Sequence, residues 1–296
     1  MRPADGLDRL RTSVAEAVRS RVGGADRSAR EERVWRSEGP RWFTPDDPVW
    51  RVHKDAAMFV GGLRALVMQS LHPLAMAGVD EHSGYRGDPW GRLQRTSLYI
   101  ATTTYGTAAD AERMVRAIRG RHTSVVGTAP DGRGYAASDP HLLAWVHAAE
   151  CHSFLVTHQE YGARPLTPAE ADTYVAQLGS ISERLGFDGA PRSVAGLEDV
   201  LARYRPELVG TEAARRTVRY VLDEPDLPLA ARPAYTALAA GALATTPAWA
   251  RSMLDLDRSR WRPAGAVGRP AGHAVTAGLR WALGAHPADR FDTGRG

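Results

Sequence analysis

Apolar positions recur along this chain at intervals of three and four residues, the spacing that gathers them on one side of a helix. The interval of two that marks a half-buried strand is nearly absent. Leu7, Leu10, Val14 and Val18 form the first stripe and predict a short amphipathic helix. A polar stretch from Gly23 to Pro48 follows, anchored by Trp35, Trp42 and Phe43. One helix is then predicted from Asp47–Pro48 onward, carrying Val49, Val52, Ala56, Phe59, Val60, Leu63, Leu66 and Val67. It is apolar around much of its circumference, which places it at the centre of the fold. His72–Pro73 breaks it and opens a short helix ending around Gly78 to Gly84.

Later helices announce their own starts. Thr107 with Asp110 three residues on has the form of a capping box, in which side chains satisfy the exposed amides of a first turn. Asp139 caps a long helix with Pro140 at its first position, where a missing N–H costs nothing. Thr167–Pro168–Ala169–Glu170 combines both devices, and Thr211 caps a helix holding Val218 and Val221. A final helix is expected near Ala274 to Leu283, in a tail rich in Gly, Pro and Arg. Only Gly127 to Ala137, around Tyr135, reads as an extended loop or hairpin. The predicted class is all-α.

Composition narrows the function classes. With 43% hydrophobic residues, the 296-residue chain can bury a substantial core. The net charge is only +4, and the basic residues are arginines apart from Lys54, scattered among acids. With no reader motif, nucleic-acid binding is not expected. A single cysteine, Cys151, excludes a disulfide framework and any cysteine-rich metal site. Met1 to Arg21 has no apolar core of a signal peptide. Ala234 to Ala250 is too short and too interrupted to span a bilayer. A cytoplasmic location is therefore the expectation, with peripheral membrane contact left open. Phosphate-cradling glycine loops, a Gly-x-Ser-x-Gly elbow, His-Glu-x-x-His and paired Glu-x-x-His are all absent.

The reactive residue types concentrate between His72 and His158. Arg92, Arg95, Thr96, Tyr99 and Thr103 share one helical stripe, two cations and three hydroxyls that suit a pocket for an anion or an oxygen species. A solvated arginine face beside a core tyrosine has the same spacing. His122 stands at the end of the helix that begins at Thr107. A terminal carbonyl could accept its Nδ1–H and leave Nε2 free for a metal. A capping histidine at the negative end of the helix dipole is the alternative. His141, His147, His152 and His158 read as surface or core positions, and Cys151 as packing.

The ordered landmarks His72–Pro73, Asp88–Pro89, Gly91–Arg92–Leu93–Gln94–Arg95–Thr96 and Tyr105–Gly106 resemble the catalytic domain of the MpaB-type and latex-clearing (rubber) oxygenases. The match continues through His122, Val125, Val126, Gly127, Gly134, Tyr135, Ala137, Asp139–Pro140, Leu143 and Trp145 to Tyr161, Leu166 and Glu170. The resemblance implies a globin-like helical bundle enclosing a haem pocket. It divides the chain into an N-terminal helix and polar arm (1–44), an oxygenase-like core (45–225), and C-terminal helices packed on the core with a flexible tail (226–296).

It further implies haem b with His122 as the iron ligand, and Arg92, Arg95 and Thr96 as cofactor-binding and catalytic residues. The arginines would meet haem propionates or polarise dioxygen, and Thr96 would give a distal hydrogen bond. His72 is the second-choice ligand. The implied activity is oxygenation of a small apolar substrate, unsaturated or prenyl-like in class. The alternatives are a non-catalytic haem sensor or carrier and a cofactor-free helical interaction protein. Two departures argue against polyisoprene itself. The family's Arg-x-x-Lys-Thr has Arg95 in place of the lysine, and a protonated guanidinium is a poor iron ligand. About sixteen residues before Arg92 the family's distal glutamate has no counterpart among Ala75, Met76 and Ala77, leaving Asp80, Glu81 and Asp88 as substitutes.

Overall fold

The computed structural model describes residues 3–24, 34–82, 88–223 and 227–291. The Gly84 limit expected for the short helix after His72–Pro73, part of the polar arm and the last residues of the tail lie outside the described residues. The fold is all-α apart from one small hairpin. Helix α1 spans Pro3–Gly23, α2 Pro48–Lys54, α3 Ala57–Gln69, α4 Pro73–His82, α5 Pro89–Tyr105 and α6 Ala108–Thr123. The antiparallel strands β1 (Val126–Thr128) and β2 (Gly134–Ala136) follow, with Gly127 opposite Tyr135. Then come α7 (Pro140–Tyr161), α8 (Pro168–Leu185), α9 (Val194–Tyr204), α10 (Glu212–Asp223), α11 (Arg232–Thr245), α12 (Ala248–Met253) and α13 (Ala264–Leu283).

The single helix expected from Pro48 to Val67 is two helices. Asp55 between them is extended (φ −80°, ψ 146°), and its carboxylate accepts the Ala57 N–H at 2.7 Å, starting α3 afresh. The last helix begins at Ala264 rather than Ala274 and carries Pro270 inside it. The expected caps form as read: Thr107 accepts from Asp110, Asp139 from His141, and Thr167 and Glu170 complete a reciprocal capping box.

The interior is built around α7, which buries residues on all sides, from Leu142 and Trp145 to Leu155 and Tyr161. Helix α3 lies against it through Gly61, where a Cβ would sit 2.7 Å from both the Phe154 ring and the Thr157 hydroxyl. Glycine thus lets the two backbones approach. Trp50, Trp145, Tyr174, Met68 and Leu71 are fully buried in the same core. A fully buried side chain of this size contributes roughly 1.5–3 kcal/mol. Helices α11 and α13 pair, and α11 lies along α3, while α1 rests on α13 and α5. Among the described residues, no helix is long and apolar enough to cross a membrane.

Candidate functional site

Helices α5 and α6 are joined by Gly106–Thr107 alone and pack on one another. At the beginning of α5 Asp88 accepts the Gly91 N–H at 2.8 Å and Pro89 occupies the first helical turn. The other Asp88 oxygen lies 3.2 Å from the Arg95 guanidinium. Along the stripe, Arg92 is half-buried, Arg95 and Thr96 are exposed, and Thr103 is buried. The five residues therefore do not line one closed pocket; the stripe runs from solvent into the core. Thr103 donates to the Tyr99 carbonyl at 2.9 Å, so its hydroxyl proton is committed within the helix. Burial, with the Glu150 carboxyl nearby, pushes the Tyr99 phenol far up. Burial likewise lifts Glu150 to about 7.

His122 lies in the last turn of α6, half-buried. Its Nδ1 is buried and has no hydrogen-bond partner. The helix-end carbonyl that the sequence suggested for it is taken. Thr123 Oγ1 donates to the Gly120 carbonyl at 2.7 Å, Ser124 Oγ to Arg121 at 2.8 Å, and the Val125 N–H to His122 at 3.2 Å. Two hydroxyl residues directly after the histidine have used the acceptors first. Burial lowers the His122 pKa, so the ring is uncharged at neutral pH and offers a lone pair. A partnerless, uncharged imidazole is chemically suited to ligate a metal or a haem iron.

The three carboxylates offered as substitutes for the family glutamate all have structural tasks. Asp80 lies 3.4 Å from Arg216, Glu81 accepts from the Tyr135 hydroxyl, and Asp88 caps α5. Of the α7 histidines, His147 shares a 2.6 Å contact with Ser182 and is held by burial at about 4. His152 lies 3.3 Å from the buried Arg64, and His158 contacts the Arg164 carbonyl at 3.1 Å. Cys151 is free and buried, its thiol pushed up by burial and by Glu150. His147, His158 and Cys151 are buried and His152 is half-buried, so of the two placements open from sequence these residues take the core.

His141 is different. With His72 and Glu207 it forms a cluster whose three candidate ligand atoms lie within 4.8 Å of one another. It lines a cavity of about 380 Å³ together with Tyr204, Glu207, Asp188 and Arg203. A second cavity, of about 210 Å³, is lined by His152, Glu198, Arg205 and Trp249. Sequence reading missed the cluster because its members come from three distant segments, and no spacing rule connects them.

No curated protein and no solved structure matches this chain. A family model does, that of the "ER-bound oxygenase mpaB/B'/Rubber oxygenase, catalytic domain", over residues 50–281. The matched span contains α5, His122 and the whole of α7. The matched region also takes in α11 and most of α13. By that match, which covers well over half its length, the chain belongs to the mpaB/rubber oxygenase catalytic-domain family.

Proposed function

We propose that this protein is a haem b-dependent oxygenase acting on a small apolar substrate, unsaturated or prenyl-like in class. The observation that carries the reading is the His122 imidazole, uncharged, half-buried and with a buried nitrogen lacking any partner. Membership of an oxygenase family supports it. When bound, the haem would supply an iron centre at which dioxygen can be activated.

The chain's own residues have separable roles. His122 holds the cofactor through its ring. Arg92 and Arg95 at the start of α5 suit the carboxylate groups of a porphyrin, since guanidinium forks match carboxylates in geometry and charge. For Arg95 this means sharing or exchanging Asp88. Thr96, exposed on the same turn, offers a hydroxyl donor to the reacting side. Further in, Glu150 beside Tyr99 can hold or release a proton at neutral pH, because burial sets it at about 7.

The test is the absorption spectrum of wild-type protein and His122→Ala after expression with added haem. A Soret band in the wild type and its loss in the variant are expected. Absence of haem in the wild type would overturn the proposal, and an unchanged spectrum in the variant would move the ligand elsewhere. Oxygen uptake with an unsaturated apolar co-substrate, lost in Thr96→Ala with haem retained, separates an enzyme from a haem sensor or carrier.

A further inference from the structure

We propose that His72, His141 and Glu207 form a second metal site, separate from His122, that takes a first-row divalent ion such as Zn²⁺ with an open coordination position facing the 380 Å³ cavity. The segments that meet here are each fixed locally. Pro73 starts α4 and leaves His72 at its N-terminal edge. Asp139 and Pro140 start α7, placing His141 in its first turn. Glu207 ends the 3-10 turn Arg205–Glu207 that follows α9. Trp145 and Tyr204 pack beneath, their rings 5.4 Å apart and 6.3 and 6.1 Å from the His72 ring.

Hydrogen-bond accounting makes His141 a ligand in waiting. The Tyr204 hydroxyl has one proton and gives it to the His141 carbonyl at 2.6 Å. Its oxygen also lies 3.2 Å from His141 Nδ1, where it can only accept. With the ring proton on Nδ1, the Nε2 lone pair faces the Glu207 carboxylate, 2.8 Å away. In that tautomer a cation between the two acceptors satisfies both. A tyrosine that fixes the tautomer from behind is the kind of outer partner that metal-bound histidines have.

A proton on Nε2 would serve His141 and Glu207 alone. His72 favours the metal. It is 1% exposed, its Nε2 has no hydrogen-bond partner, and that atom lies 3.5 Å from the same Glu207 oxygen. One divalent ion satisfies all three groups: the spacings from the Glu207 oxygen to the two imidazoles, 2.8 and 3.5 Å, bracket the roughly 3.4 Å expected between tetrahedral ligands about 2.1 Å from a metal. Ligation through His72 Nε2 puts the proton on Nδ1 and gives up the long 3.4 Å contact from the Ala75 N–H. Two imidazoles and one carboxylate suit zinc or iron(II) over magnesium or calcium, which prefer all-oxygen sites. With His141 and Glu207 about half exposed, the remaining positions are open to water and small molecules from the cavity.

The experiment is calorimetric titration of chelator-treated, purified protein with Zn²⁺ alone and with Co²⁺ alone, the latter also read by visible d–d absorption. One equivalent should bind with micromolar or tighter affinity. His141→Ala and Glu207→Gln, both at the protein surface, should each weaken binding at least tenfold while leaving the circular dichroism unchanged. Tyr204→Phe should weaken it roughly tenfold by releasing Nδ1. His122→Ala should leave the titration unchanged. The proposal is overturned if neither ion binds at micromolar concentration, if binding survives both surface substitutions, or if it is lost in His122→Ala instead.

Discussion

Asp55 and Arg280, 225 residues apart, meet in a two-pronged pair: Nη2 to Oδ1 at 2.7 Å and Nε to Oδ2 at 3.1 Å. The same carboxylate accepts the Ala57 N–H and, at 3.0 Å, the Ala163 N–H, while Arg280 also donates to the Tyr161 carbonyl. One side chain thus starts α3, ties down the end of α7 and anchors α13. The pair is largely buried, with 9% of the Asp55 side chain exposed and 29% of Arg280. Removing one partner leaves the other charge without compensation, which costs about 3–5 kcal/mol in such settings. Asp55→Ala should lose that much in denaturant unfolding, and Arg280→Met somewhat less. The double-mutant cycle should give a coupling above about 1 kcal/mol. Additive losses would mean that α13 is not held through this pair.

Arg64 carries a second buried charge, but with no carboxylate against it among the described residues. It is fully buried and donates to the Thr245 carbonyl at 3.0 Å and to Ser153 Oγ at 2.7 Å, with His152 Nδ1 at 3.3 Å. Burial lowers its pKa only to about 10, so the guanidinium stays charged at neutral pH. Its forked donors bridge α3, α7 and the end of α11, and a lysine ammonium cannot reproduce that fan of contacts. Arg64→Lys should therefore cost roughly 2–3 kcal/mol in chemical denaturation. A loss below about 0.5 kcal/mol would show that charge, not geometry, is what the site requires.

Helix existence, the caps at Thr107, Asp139 and Thr167, and the hairpin at Tyr135 were legible because each depends on residues within a few positions. The break at Asp55 was not: two of its partners, Ala163 and Arg280, lie 108 and 225 residues away. The first half of α13 was hidden because Gly265, Gly268, Pro270 and Gly272 argue locally against a helix, while close packing favours glycine at 268, against Ala240 of α11, and at 272, against the Tyr161 ring of α7. His122 was singled out by its helix-end position and by resemblance, yet the fate of its Nδ1 was local information overlooked: Thr123 and Ser124 follow it and cap the carbonyls it was expected to use. The cluster of His72, His141 and Glu207 exists only in three dimensions.

Glu150 makes the pH dependence of stability separable. Its carboxyl is raised by burial from 4.5 to about 7, so the folded state holds its proton more tightly than the unfolded chain. The linkage sign follows: this group weakens the fold as pH rises from 4.5 to 7, by at most about 3 kcal/mol, and no further above that. His53, His147, His152 and His286, lowered by burial to about 3, 4, 3 and 4, act in the other direction. Their contribution is complete above 6.5 and is lost as pH falls below it. Wild-type protein should thus unfold in acid. The difference between Glu150→Gln and wild type should grow in the variant's favour between pH 4.5 and 7 and then level off. A difference independent of pH would place the carboxyl in water.

Two glycines of α13 should respond oppositely to the same substitution. Alanine is intrinsically better than glycine in a helix by about 1 kcal/mol. At Gly278 an added Cβ meets nothing within 4 Å, so Gly278→Ala should stabilise by roughly 0.5–1 kcal/mol. At Gly268 the Cβ would run into the Ala240 carbonyl oxygen of α11, with the Ala244 Cβ only 2.9 Å away. Backbone cannot rotate aside as a flexible side chain does, so α11 and α13 must separate, at a cost of about 1–3 kcal/mol that exceeds the propensity gain. Gly268→Ala should therefore lower the melting temperature while Gly278→Ala raises it. If both raise it, the helices are not in the close backbone contact described here, and the glycines of α13 reflect composition rather than packing.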